Sequence, residues 1–317
     1  MGEERRIILP PPTDRRCDQE ILRELPTDLG VVLWQDSRHL RAWARSAEQA
    51  RRELFPASLP AWVHAKRKAA RAECGRLAGA LDAFAAFLST PAALTASHAA
   101  SECQAVVHWA LERGHTQTAI EFAEAGALLD PGNPRLANLA GRVTRNAFDH
   151  GRAEVWFNRG IGISREKKDW IELTRGHLGF GILCQDTGRV RGALRHFNSG
   201  SRLARKLGLE WLSAEVQHDL TLLLTVRGQR LEAEKHARRA LDWYPKHHER
   251  FPLFAADVAL LLVLERQYAV AARLLKGVLR VVTQPTARAV ILALLARALT
   301  GAGLVDELDR VERRVFR

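Results

Sequence analysis

The chain has 317 residues, 47% hydrophobic and 26% charged, a balance that excludes a disordered chain and allows two ordinary domains or one elongated array. Forty-eight Lys and Arg against 36 Asp and Glu leave a formal charge of +12. That excludes an acidic tail protein and leaves nucleic acid, a membrane surface or acidic partners open. Only eight of the basic residues are Lys, so the excess is one of arginine, as a GC-rich genome would also write.

In chain order, residues 1–17 include Pro10-Pro11-Pro12 and are expected to form a disordered or extended tail. The apolar run before those prolines is too short for a secretory signal, and no apolar stretch approaches the roughly 20 residues of a membrane helix, so a cytoplasmic protein is expected. Residues 18–58 read as an amino-terminal helical cap or half-repeat. In it, Ser37 would cap a helix over residues 38–54 whose inward stripe is Leu40, Trp43, Ala44, Ala47 and Ala50. Residues 59–317 read as one solenoid. Proline is absent from Arg135 to Tyr244, and prolines elsewhere cluster at seams, because proline inside a helix is costly. Apolar residues recur at three- and four-residue spacing, as in Leu212, Val216, Leu220, Leu223 and Leu224, and alternating strand-like runs are nearly absent.

A repeat runs through this region. Turns at Gly75, Gly114, Gly151, Gly188, Gly228, Arg266 and Gly303 are separated by 39, 37, 37, 40, 38 and 37 residues. Five residues after each turn stand Ala80, Ala119, Trp156, Ala193, Ala233, Ala271 and Leu308; twelve after stand Phe87, Gly126, Ile163, Gly200, Ala240, Val278 and Val315. Small residues at fixed offsets are what two closely packed antiparallel helices require. The last unit ends in a helix with one apolar stripe and an outer face of Asp306, Glu307, Asp309, Arg310, Glu312, Arg313 and Arg314, suited to capping an open stack.

Gly75 to Phe84, Gly114 to Ala119 with the exit Asp130-Pro131, Gly188 to Phe197, and Gly228 to Ala233 with Tyr244-Pro245 resemble the turn and second helix of a tetratricopeptide repeat. The units are longer than that family's usual 34 residues, and the third and seventh are degenerate at Trp156 and Leu308. Longer repeats of this kind resemble those of bacterial regulatory proteins. The resemblance implies an all-α fold, a right-handed α-solenoid superhelix of about seven helical hairpins with a binding groove lined by first helices.

Chemical motifs are missing. No phosphate loop, GxSxG elbow, HExxH or acidic calcium loop is present, and Cys17, Cys74, Cys103 and Cys184 form no CxxC. Gly160-Ile-Gly162 reads as close helix packing, and His247-His248 cannot share one helix face. A non-enzymatic chain without cofactor or metal is therefore expected. Positions before each turn select a partner-binding groove of Trp62, His108, Asn138, Arg145, Arg175, Gln185, His218, Leu260 and Leu264, polar in the middle and apolar toward the carboxyl end. Arginine's planar fork suits a carboxylate on a partner chain. The family's clamp for a terminal carboxylate is incomplete, since Asn138 and Arg142 are present but Ala105 replaces its central Asn.

The expected function is that of a scaffold or adaptor binding a polypeptide, with a peptide-sensing regulator as an alternative. A nucleic-acid-binding solenoid is the weaker expectation, resting on Lys66, Lys68 and Arg71, on Arg189 to Lys206, and on basic residues beside Trp156 and Trp170. No membrane partner is expected.

Overall fold

The computed structural model describes residues 20–51, 54, 61–244, 250–283 and 285–315. The expected tail over residues 1–17, Cys17 and the His247-His248 pair lie outside these residues. Every regular element described is helical. Three helices precede the hairpins: α1 (Glu20–Glu24), α2 (Asp28–Arg45) and α3 (Glu48–Arg51). Seven hairpins follow. They are α4 (Ala61–Glu73) with α5 (Ala78–Ser89), α6 (Ala93–Arg113) with α7 (Thr116–Leu129), and α8 (Pro134–Asn146) with α9 (His150–Lys167). Next come α10 (Trp170–Asp186) with α11 (Val190–Lys206), α12 (Glu210–Val226) with α13 (Arg230–Trp243), α14 (Phe251–Leu264) with α15 (Tyr268–Leu279), and α16 (Pro285–Gly301) with α17 (Val305–Val315). The chain divides into two compact units, one up to Leu183 and one from Cys184, a division that falls inside α10.

Six of the seven turns inside the hairpins share one backbone device; the first, between α4 and α5, is a 3-10 turn over Gly75–Leu77 instead. Gly114, Gly188, Gly228 and Gly303 have φ between 70° and 76°, and the next helix begins two residues later. This left-handed conformation ends a helix and favours glycine, which has no Cβ to clash. Arg266 takes the same conformation at φ 61°, and in the third hairpin the position belongs to Phe148 at φ 62°, not to Gly151. Moving that turn three residues back corrects the repeat. The residue five after it becomes Ala153 and the residue twelve after becomes Gly160, so the unit that looked degenerate is regular. Ala119, Ala153, Ala193, Ala233 and Ala271 are all fully buried at the same offset.

Those small residues let the helices close. A Cβ on Gly126 would lie 3.1 Å from the Ala100 carbonyl and from Cys103 Cβ, and one on Gly160 would lie 2.3 Å from Asn138 Oδ1. Gly162, by contrast, has nothing within 4 Å, so only the first glycine of that pair serves packing.

The amino-terminal segment differs from the expectation. Helix α2 starts at Asp28, ten residues before the expected helix, with Thr27 as its cap, and it ends at Arg45. Ser37 is buried inside it, donating to the Trp34 carbonyl, and Ala47 and Ala50 are exposed. The face that buries α2 carries Leu29, Val32, Leu33, Leu40 and Trp43 together with Gln35, Asp36 and His39. It packs on α4 and α7. Glu24 accepts from the backbone amides of Gln117 and Thr118, filling the amino-terminal end of α7. Glu124 on α7 accepts from Arg41 Nη2 at 2.9 Å, Arg152 Nε at 3.0 Å and Nη2 at 2.6 Å, and Trp156 Nε1 at 3.0 Å. One buried carboxylate thus joins α2, α7 and α9.

Candidate functional site

Seen from the corrected turns, the first helices of the hairpins have one outward row, at thirteen, six and two residues before each left-handed residue. On a helix these positions, spaced seven and eleven residues from the first, lie on one stripe. In the first unit the row is Ser101, His108 and Glu112 on α6, then Arg135, Arg142 and Asn146 on α8, and all six are exposed. His108 is depressed below the usual histidine range by partial burial and by the Arg142 and Arg135 guanidinium groups, against the opposing Glu112 carboxylate. This mutual influence places the side chains of His108, Arg135 and Arg142 in one electrostatic neighbourhood. Glu112 also makes a two-toothed pair with Arg76, at 2.5 and 2.9 Å, reaching back to the first hairpin.

In the second unit the row is mainly aliphatic. It holds Leu222 and Val226 on α12 after Glu215, Leu253, Leu260 and Leu264 on α14, and Val290 on α16 before Arg297 and Gly301, and α14 packs on both α12 and α16. Val226 is 69% exposed, Val290 49% and Leu253 37%. Helix α14 has a single charged residue, Asp257, and no charged residue lies on its outward row. A peripheral helix ordinarily shows water a polar face. This one shows leucine.

Of the nine groove residues expected from sequence, the structure keeps some and removes others. Trp62 stands exposed near the start of α4, and His108 and Arg175 are exposed. Leu260, Leu264, Gln185 and Arg145 are half-buried, and Arg145 donates to Asn146 Oδ1 at 2.7 Å. Asn138 and His218 are buried, which corrects their placement on the groove surface. Both stand ten residues before a left-handed turn residue, on the side of the helix turned toward its neighbours. Asn138 Nδ2 donates to the Glu172 carbonyl and to Glu172 Oε2, each at 3.0 Å, and Glu172 Oε1 accepts from Arg175 Nη1 at 2.5 Å. The structure therefore brings Asn138 and Arg175 together, but through a shared carboxylate of the protein's own.

His218 belongs to a second internal cluster. Its Nε2 lies 2.8 Å from Asp257 Oδ2 and its Nδ1 3.2 Å from the Tyr244 hydroxyl, and its ring meets Tyr244 and Phe254 edge-on. Beside it Arg250 bridges Glu215 at 3.2 Å and Asp219 at 3.0 Å. Burial alone would lower the Arg250 guanidinium, but the Asp219 and Glu215 carboxylates outweigh it and hold the group above its ordinary range. Burial raises the Tyr244 phenol, with Arg250 opposing. Both ring nitrogens of His218 are engaged, so the cluster fastens α12, α14 and the end of α13. Sequence reasoning missed Asp257, Tyr244 and Arg250 because their partners lie 26 to 39 positions away.

Among the described residues no group of three His, Cys, Asp or Glu could hold a metal ion. No described helix is long and apolar enough to cross a membrane. No protein-family model matches the chain, and no curated protein is similar to it in sequence.

Proposed function

We propose that this protein is a non-enzymatic interaction module whose hairpins stack in the manner of tetratricopeptide repeats into a right-handed superhelix. Its ligand is a polypeptide segment. The observation that carries this reading is the mainly aliphatic outward row of α12, α14 and α16, in which Val226, Leu253 and Val290 are exposed and Leu222, Leu260 and Leu264 half-buried, interrupted by Glu215 and Arg297. Contiguous exposed apolar surface on a soluble protein marks a place where another apolar surface docks. Three adjacent helices presenting it from equivalent repeat positions form a surface that can hold the apolar side of a helix or extended segment. The His218 and Arg250 clusters beneath it hold α12 and α14 rigid, which lowers the ordering cost of binding.

The test is selection of a phage-displayed random peptide library on the purified protein, followed by titration of the enriched peptides. Leu260→Glu with Val290→Glu places two charges on the row while leaving the buried faces intact. Enriched peptides should be rich in aliphatic or aromatic residues and should lose at least about tenfold in affinity for the double variant, since central apolar anchors dominate such interfaces. No enrichment, or peptides that bind both proteins equally, overturns the reading.

A further inference from the structure

The positive charge of the chain is concentrated. From Cys184 onward it carries 23 Lys and Arg against 14 Asp and Glu, nine of the net twelve charges. Within that unit helix α11 is the extreme case. It has Arg191, Arg195, Arg202, Arg205 and Lys206, and no Asp or Glu. All five are exposed. With Asn198 they form a single stripe along the helix at 191, 195, 198, 202 and 205–206, about 22 Å from end to end.

Elsewhere many of the cations are neutralised within the protein. Arg41, Arg67, Arg71, Arg76, Arg152, Arg175, Arg238 and Arg250 all meet carboxylates. Among the described residues no ion pair or hydrogen bond reaches the side chains of the five cations of α11. Even the mixed helix α13 pairs Lys235 with Glu232 and Arg238 with Glu234. Like charges spaced at three and four residues repel and weaken a helix, so a stripe with no acid at all lacks the usual compensation. A linear polyanion laid along it would supply that compensation.

We propose that the outer face of α11 binds the phosphate backbone of a nucleic acid. A row of guanidinium groups spaced about 4.5 to 10.5 Å along a helix can reach successive phosphates, which arginine grips by paired hydrogen bonds. The stripe has no base-reading module, so the contact is to backbone and independent of sequence. A membrane surface fits less well. An interfacial helix must bury an apolar face in lipid, and the apolar face of α11, with Ala193, Phe197 and Ala204, is already fully buried in the protein. This site lies on a second helix of a hairpin, whereas the aliphatic row lies on first helices, so either can fail without the other.

The experiment is fluorescence anisotropy of a labelled single-stranded oligonucleotide titrated with the full chain, repeated from about 50 to 200 mM NaCl. Two charge-matched variants accompany it: Arg195→Gln with Arg202→Gln on α11, and Arg273→Gln with Arg280→Gln, both exposed, at α15. The wild type should bind with log K falling linearly against log salt. The α11 pair should lose at least about tenfold at low salt and flatten the slope by about 1.4, near 0.7 for each phosphate contact, while the α15 pair should change affinity less than about twofold. Circular dichroism confirms that both variants keep their helices. No binding at low salt, an equal loss in both pairs, or α11-dependent binding to phosphatidylserine vesicles without binding to the oligonucleotide overturns the proposal. Leu260→Glu should leave oligonucleotide binding unchanged.

Discussion

Asn138 and Gly160 touch where α8 crosses α9: a Cβ on Gly160 would stand 2.3 Å from Asn138 Oδ1 and 3.0 Å from its Cγ. The asparagine cannot swing aside without giving up its two bonds to Glu172. Gly160→Ala should therefore destabilise the protein by about 1–3 kcal/mol, the usual cost of overpacking. Gly162→Ala, two residues on and facing open space, should be neutral or stabilise by up to about 1 kcal/mol through helix propensity. Thermal melts of the two variants give opposite signs if the packing is as described.

Phe148 holds a left-handed conformation at φ 62° with its side chain exposed to solvent. Such a backbone costs a non-glycine residue roughly 1–2 kcal/mol, partly offset in a glycine by greater freedom when unfolded. Phe148→Gly should stabilise the third hairpin by about 0.5–1 kcal/mol. Gly151→Ala, inside the helix that follows, should not destabilise it. The reverse outcome in denaturant titration would return the turn to Gly151.

Glu124 is the acceptor for Arg41, Arg152 and Trp156 at once. Glu124→Ala leaves Arg41 without one of its two carboxylates and the Trp156 indole N–H without its acceptor. Breaking such a buried network by removing one partner costs on the order of 3–5 kcal/mol. Hydrogen exchange should show α2 and the start of α9 loosened first, with α14 to α16 unchanged, because neighbouring repeats carry most of each other's stability.

The α2–α4 interface contains two groups that respond to acid in opposite directions. Burial raises the Asp36 carboxyl to about 6 despite the Arg67 guanidinium beside it, so its contribution to stability grows as pH falls through 6 toward 4. Burial and Arg67 lower the His39 imidazole to about 4, so its contribution is present above 6.5 and is lost as pH falls through 4. Each spans on the order of 3 kcal/mol, and in the wild type they largely cancel between pH 6.5 and 4. In Asp36→Asn stability should fall steadily with acidification over that window, and in His39→Gln it should rise. Urea midpoints measured across the window check both slopes.

What could be read from residues alone was whatever is local. Helix periodicity, the glycine turns and the small residues after them follow from backbone geometry within one hairpin, so the all-helical architecture and hairpin spacing were legible. The third turn was not, because Phe148 occupies a position where glycine is the readable signal and Gly151 lies close enough to mislead. The first half of α2 was hidden for a related reason. Ser37 reads as a helix cap until Arg67, thirty-one positions from Asp36, supplies the partner that lets Asp36 be buried inside α2.

The candidate surface divides the same way. The sequence by itself determined that these first helices carry His108 and Leu260 at equivalent positions, six residues before their turns, since a repeat imposes one register on all its copies. Only the tertiary structure decided which side of each helix meets water. Burial depends on the neighbouring helix, and it withdrew Asn138 and His218 into pairings with Glu172 and Asp257 while leaving Arg142 and Leu253 outside.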